Sequence, residues 1–180
     1  LDTFDTLSAD WTYSSASVTT SLGEVQLTGI ENWGTNLYHV PPIAEGTALL
    51  LRFRADSDAE FGAFLESGTW GKADYKRFGL YGPYPTTNIF HGTIGEPQQE
   101  FDGELSIESN AWYDMMLAVE PGGEFIALVW DPEDPSMHLA YRRVVDEKWA
   151  GSTWAFGITM NSGFLAIDEF VGLAFDDPPS

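Results

Sequence analysis

The sequence predicts an all-β domain, and three observations carry that expectation. Helical periodicity is absent: no stretch shows apolar residues at i, i+3, i+4 and i+7 between capping residues. Short runs rich in Val, Ile, Thr, Phe, Tyr and Trp recur along all 180 residues, separated by Gly, Pro, Asn and Asp. Hydrophobic content of 43% and aromatic content of 14% are too high for a disordered chain, despite its charge. Many short strands with closely spaced turns mean a sandwich or a closed barrel.

The expected strands begin with Trp11 to Tyr13, Ser17 to Thr20, Glu24 to Thr28, Thr35 to His39 and Ala48 to Arg54. Glu60 to Leu65, Phe78 to Tyr81 and Glu104 to Ile107 follow. Tyr113 to Glu120, Glu124 to Asp131, His138 to Val144, Trp154 to Met160 and Phe164 to Phe175 complete the set. Pro132 ends a strand because it cannot donate to a ladder. Pro121-Gly122-Gly123 reads as a hairpin turn, and Asn161-Ser162-Gly163 as another. Residues 145–150 could hold one helical turn. The stretch from Ser67 to Gln99, rich in Gly, Pro, Tyr and Trp, is expected to form long surface loops. Residues 1–175 read as one module. Asp176-Asp177-Pro178-Pro179-Ser180 reads as the start of an acidic, Pro-rich linker, as in one bead of a larger protein.

The chain carries 28 acidic and 8 basic residues, a net charge of −20. Such a surface repels a phosphate backbone and argues against nucleic acid as partner. Anionic membranes and anionic polysaccharides are disfavoured for the same reason. No apolar stretch approaches membrane-spanning length, so membrane insertion is not expected. There are no cysteines, hence no disulfides and no thiolate metal sites. Neutral or cationic partners and divalent cations remain.

The two ends narrow the fold. Leu1-Asp2-Thr3-Phe4-Asp5 and Trp11-Thr12 open the chain, and Gly163-Phe164-Leu165-Ala166-Ile167-Asp168-Glu169-Phe170 nearly closes it. Between them lie Ala111-Trp112-Tyr113-Asp114-Met115-Met116-Leu117-Ala118-Val119 and Ile126-Ala127-Leu128-Val129-Trp130. This order resembles the concanavalin A-like lectin/glucanase superfamily, in particular its laminin-G-like and carbohydrate-module branches. The resemblance implies a two-sheet antiparallel jelly-roll sandwich whose first and last strands lie side by side. It also implies an extracellular or cell-surface setting. The fold alone does not choose among lectins, binding modules, hydrolases and lyases.

Glu104-Leu105-Ser106-Ile107-Glu108 is similar to the Glu-x-Asp-x-Glu strand motif of laminarinase-like glucanases. By that match Glu104 would be the nucleophile and Glu108 the acid/base of a retaining hydrolase. Ser106 departs from the motif by replacing its central Asp. The other reading is two exposed glutamates on a polar strand face. His39, His91 and His138 have no zinc-site spacing. Calcium, which takes oxygen ligands without fixed spacing, is expected as a structural ion on Asp2, Asp5 and Asp168 if the resemblance brings the end strands together. The same residues could instead cap turns.

Sugar rings stack their apolar faces on Trp and Tyr, while polar side chains bond the hydroxyls. Trp11, Trp112, Trp130 and Trp154 are assigned to the core or its rim by their strand positions, and Trp149 to packing beneath a loop. Trp33 and Trp70 remain, each in a Gly-flanked loop, where they either contact a ligand or anchor the loop. The expected binding set is Trp33 and Asn32 with Trp70, Asp74, Tyr75, Arg77, Tyr81 and Tyr84. The sequence reading is therefore a monomeric, non-catalytic carbohydrate-binding module of an exported multi-domain protein, taking a neutral polysaccharide or oligosaccharide. A glycoside hydrolase or polysaccharide lyase of the same fold, or a protein-binding adhesion module, are the alternatives.

Overall fold

Residues 47–55 show how the sequence makes its layers. Leu49, Leu51, Phe53 and Ala55 are buried, while Leu50, Arg52 and Arg54 between them are half-buried. Period-2 burial of this kind gives a strand one core face and one outer face. The computed structural model describes residues 7–14, 16–67, 76–83, 88–92, 102–103, 105, 107–120, 124–143 and 153–174.

Among the described residues fourteen strands form two antiparallel sheets. They are β1 (Trp11–Tyr13), β2 (Val18–Ser21), β3 (Glu24–Thr28), β4 (Thr35–Ile43), β5 (Thr47–Ala55), β6 (Glu60–Ser67) and β7 (Lys76–Pro83). Then come β8 (Asn88–Gly92), β9 (Asp102–Gly103), β10 (Trp112–Val119), β11 (Phe125–Trp130), β12 (His138–Arg143), β13 (Trp154–Ser162) and β14 (Phe164–Ala174). One sheet has six strands in the order β1-β4-β13-β6-β7-β8. The other has eight, β2-β3-β14-β5-β10-β11-β12-β9.

The core lies between the sheets. Leu37, Phe61, Leu65, Phe156, Ile158 and Met160 come from the six-stranded side; Leu27, Leu49, Phe53, Leu117, Phe125 and Leu165 come from the other. Phe53 packs edge-on against Phe61, ring centroids 5.6 Å apart, and Phe125 against Trp154 at 4.8 Å. Such pairs add roughly 0.5–1.5 kcal/mol beyond their burial.

The end segment around Asp2-Thr3-Phe4, expected beside the last strand, lies outside the described residues, and three other expectations need correction. Among the described strands, β1 does not pair with β14. β1 bonds β4 in one sheet and β14 bonds β3 and β5 in the other. The two meet through the core instead, where Trp11 packs on Phe170 at 5.0 Å. Residues 88–92, expected in a loop, form β8, the last of the described strands in the six-stranded sheet. The strand expected over 104–107 is not seen at its described positions. Leu105 and Ile107 are irregular, with Ile107 buried in the core, and the Glu108 N–H donates to the Tyr113 hydroxyl (2.8 Å) instead of to a ladder. Asn161-Ser162-Gly163 is a corner between the sheets, not a hairpin, because β13 and β14 belong to different sheets. Gly163 has φ +73°, and a Cβ there would strike the Ala59 backbone. Residues 121–123, expected as a hairpin turn, lie outside the described residues; β10 and β11 on either side pair antiparallel, ending at Val119 opposite Phe125. The residues at 145–150 lie outside the described residues.

Candidate functional site: the outer face of the six-stranded sheet

With 61, 63 and 65 of β6 and 156, 158 and 160 of β13 in the core, the residues between them take the outer face. On β4 these are Asn36 and Tyr38, on β13 Gly157 and Thr159, and on β6 Glu60, Gly62, Phe64 and Glu66. The register sets them in rows. Tyr38, Gly157, Phe64, Gly79 and Phe90 succeed one another across five strands. So do Asn36, Thr159, Gly62, Tyr81 and Asn88.

Glycine inside a strand often marks a close approach, and here it does. A Cβ on Gly157 would stand 2.6 Å from Tyr38 Cε1 and 2.8 Å from Phe64 Cε2. A Cβ on Gly79 would stand 2.5 Å from Phe64 Cβ. The missing side chains leave slots in which the rings of Tyr38 and Phe64 lie against the backbone, centroids 6.1 Å apart and edge to face. Phe64 is wholly buried although it belongs to the outer face, and Gly62, Gly157 and Thr159 beside it are buried too.

Trp33 stands at one end of the same face. Asn32 and Trp33 both adopt left-handed backbone, at φ 62° and 59°. Asparagine tolerates that region, whereas a bulky aromatic rarely enters it. The conformation is held by hydrogen bonds at both peptide groups. The Trp33 N–H donates to Asn161 Oδ1 (3.2 Å), and Asn36 Nδ2 donates to the Trp33 carbonyl (3.3 Å). Asn161 occupies the bulge between Met160 and Ser162, and its Nδ2 donates to Glu60 Oε2 (2.6 Å). One carboxylate thus orients the amide that orients Trp33. Ser14 ties the turn down from the other side, its hydroxyl donating to the Gly34 carbonyl (3.2 Å) and accepting from the Asn36 N–H (3.2 Å). The Trp33 residue is half-buried and Asn32 is exposed.

Of the residues expected from sequence, Asn32 and Trp33 lie on this corner. Arg77 and Tyr81 fall on β7, opposite Glu66 and Gly62 of the outer face. Trp70, Asp74, Tyr75 and Tyr84 lie outside the described residues, as do Glu104, Asp2, Asp5 and Trp149. Glu108 is exposed beside the turn that leads into β10. Asp168 is half-buried at the bulge between Ile167 and Glu169 of β14. No group of three or more His, Asp or Glu among the described residues has a metal-holding arrangement. Trp11 and Trp154 are core residues, but Trp112 and Trp130 stand half-buried on the outer face of the eight-stranded sheet. Arg54 lies 5.2 Å over the Trp112 ring, with Glu24 2.9 Å from its guanidinium. Asn36, Tyr38, Glu60, Thr159 and Asn161 were missed by the sequence reading. For the first four the signal is a polar or aromatic residue at alternate strand positions, next to in-strand Gly62 and Gly157.

No family model matches the sequence, and no curated protein matches it significantly. Solved structures do match in shape. The carbohydrate recognition domain of Emp46p superposes with a TM-score of 0.70 at 11% identity, over 98% of this chain and 96% of that one. A protein described among the endo-acting O-glycanases with which prominent human gut bacteria initiate mucin breakdown gives 0.73 at 9%, over 97% and 98%. Bacillus licheniformis β-glucanase gives 0.63 at 9%, over 98% and 97%. The chain therefore has the concanavalin A-like lectin/glucanase fold, a jelly-roll sandwich shared by carbohydrate-recognition domains and glycoside hydrolases.

Proposed function

We propose that this chain is a non-catalytic carbohydrate-binding module. It takes a neutral polysaccharide at the Asn32–Trp33 corner of the six-stranded sheet's outer face and stacks one sugar ring on Trp33. The observation that carries the reading is the clamped left-handed conformation of Trp33. Backbone strain of about 1–3 kcal/mol persists only where its surroundings enforce it, and it clusters at ligand sites. Three neighbouring side chains, Asn36, Asn161 and Glu60, are spent on fixing this one corner. A backbone already fixed costs a ligand little ordering entropy. The exposed amide of Asn32 supplies a hydroxyl partner beside it. The net charge of −20 favours an uncharged glycan over an anionic one.

The reading places the module in an exported, multi-domain protein at the cell surface or outside it. A structural calcium would be held by Asp168 with Asp2 and Asp5. Affinity electrophoresis through soluble glucans, xylans and mannans tests the binding itself. At least one neutral glycan is expected to retard the wild type and not Trp33→Ala. Equal mobility of both proteins in every gel contradicts the reading. A hydrolase is the second reading, favoured by the glycanase and β-glucanase that share the fold. Release of reducing ends from those glycans, abolished in Glu108→Gln, would replace the first reading with it.

A further inference from the structure

The outer face of the opposite, eight-stranded sheet carries a depression of about 160 Å³ lined by Leu50, Arg52, Asp114, Trp130, Glu169 and Val171, with Leu51 beneath. We propose that this depression is a docking pocket for a lysine side chain on a partner protein, independent of any glycan site. Its shape follows from two adjacent register rows. Glu169, Arg52, Asp114, Trp130 and His138 succeed one another across β14, β5, β10, β11 and β12. The next row along the strands is apolar: Val171, Leu50, Met116 and Leu128. A charged and aromatic edge therefore adjoins an aliphatic floor.

Size decides against a drug-sized ligand, whose pockets run from about 300 Å³ upward. The space suits one side chain. Charge decides which one. One cation and two carboxylates line it, and Arg52 is already engaged by Asp114 through two hydrogen bonds, Nε to Oδ1 (2.8 Å) and Nη2 to Oδ2 (3.3 Å). Its guanidinium is held above its ordinary pKa, first by that hydrogen bond, against the loss from burial, with lesser support from the charges of Asp114, Glu169 and Asp168. Glu169 is exposed, so after Arg52 is neutralised a negative charge remains at the rim. A lysine stem would lie on Leu50 and Val171, with its ammonium between Glu169 and the Trp130 ring. The −20 charge of the chain draws a basic partner toward the pocket from a distance.

The test is an amide NMR titration of the intact chain with acetyl-glycyl-lysyl-glycine amide, and with the same peptide carrying norleucine in place of lysine. The lysine peptide should shift the amides of residues 50, 114, 130 and 169, and the norleucine peptide should not. Trp130→Leu keeps apolar bulk and loses the ring; Glu169→Gln loses the charge. Each should weaken binding at least about threefold at unchanged melting temperature, the size of an exposed cation–π or rim-charge contact. Unchanged affinity in either variant, shifts spread evenly over the acidic surface, or no shifts in the wild type would overturn the proposal. So would the same shifts produced by a neutral oligosaccharide.

Discussion

At the scale of single residues, strained backbone separates two sites that look alike. Leu22 and Gly23 form the tip of the β2–β3 hairpin at φ 56° and 83°, with Ser21 opposite Glu24, and Leu22 is 98% exposed. The two-residue hairpin turn requires positive φ at both central positions, so the tight turn and not a ligand imposes Leu22's left-handed conformation. Leu22→Asn should therefore raise stability by about 1 kcal/mol, read as a higher urea midpoint at an unchanged slope. Trp33 has the same backbone sign with the opposite context, because Asn36 and Asn161 hold both its peptide groups. Asn161→Ala should weaken glycan retardation although Asn161 need not touch the ligand; retention of full affinity would show that Trp33 orients itself. Trp33 was legible in the sequence as an aromatic in a Gly-flanked loop. Asn161 was not, because its role depends on a bulge that brings it to a turn 128 positions earlier in the chain. No local pattern encodes that meeting.

At the scale of elements, strands announced themselves where β-branched and aromatic residues alternate, and hid where glycine and proline interrupt. β3 was read to its residue limits, and β5, β10 and β11 to within one residue at each end. β8, Asn-Ile-Phe-His-Gly, lies in a stretch whose glycines and prolines read as loop. Its neighbour β7 contains Gly79 because Phe64 occupies the space a side chain would need. Glycines that look like turn signals are here contact sites within a sheet. Gly157→Ala should accordingly displace the Tyr38 and Phe64 rings and cost about 1–3 kcal/mol by overpacking. Chemical denaturation measures that loss, and glycan binding should fall with it. In the core the opposite change applies. Phe53 is fully buried between Phe61 and Tyr113, and Phe53→Ala should cost about 3–5 kcal/mol.

At the scale of the whole molecule, two outer faces flank one core and carry different chemistry. The six-stranded face is rich in glycine and aromatic rings; the eight-stranded face sets ion pairs beside aliphatic rows. Composition and strand density announced the sandwich, and the segments at the two ends pointed to its superfamily. The expected pairing of the ends rests on Asp2-Thr3-Phe4, outside the described residues; of the described strands, β1 and β14 meet across the core, where Trp11 packs on Phe170. A calcium on Asp2, Asp5 and Asp168 would join the ends more firmly. Adding EDTA is then expected to lower the melting temperature, and an unchanged value removes the ion from the account. The central claim, that glycan lies on the six-stranded face beside Trp33, is tested most directly by an amide NMR titration. The titrant is an oligosaccharide of whichever glycan retards the chain. The account predicts shifts concentrated at Asn32, Trp33, Asn36, Tyr38, Thr159 and Asn161. Shifts centred on the eight-stranded sheet, or none at saturating sugar, would contradict it.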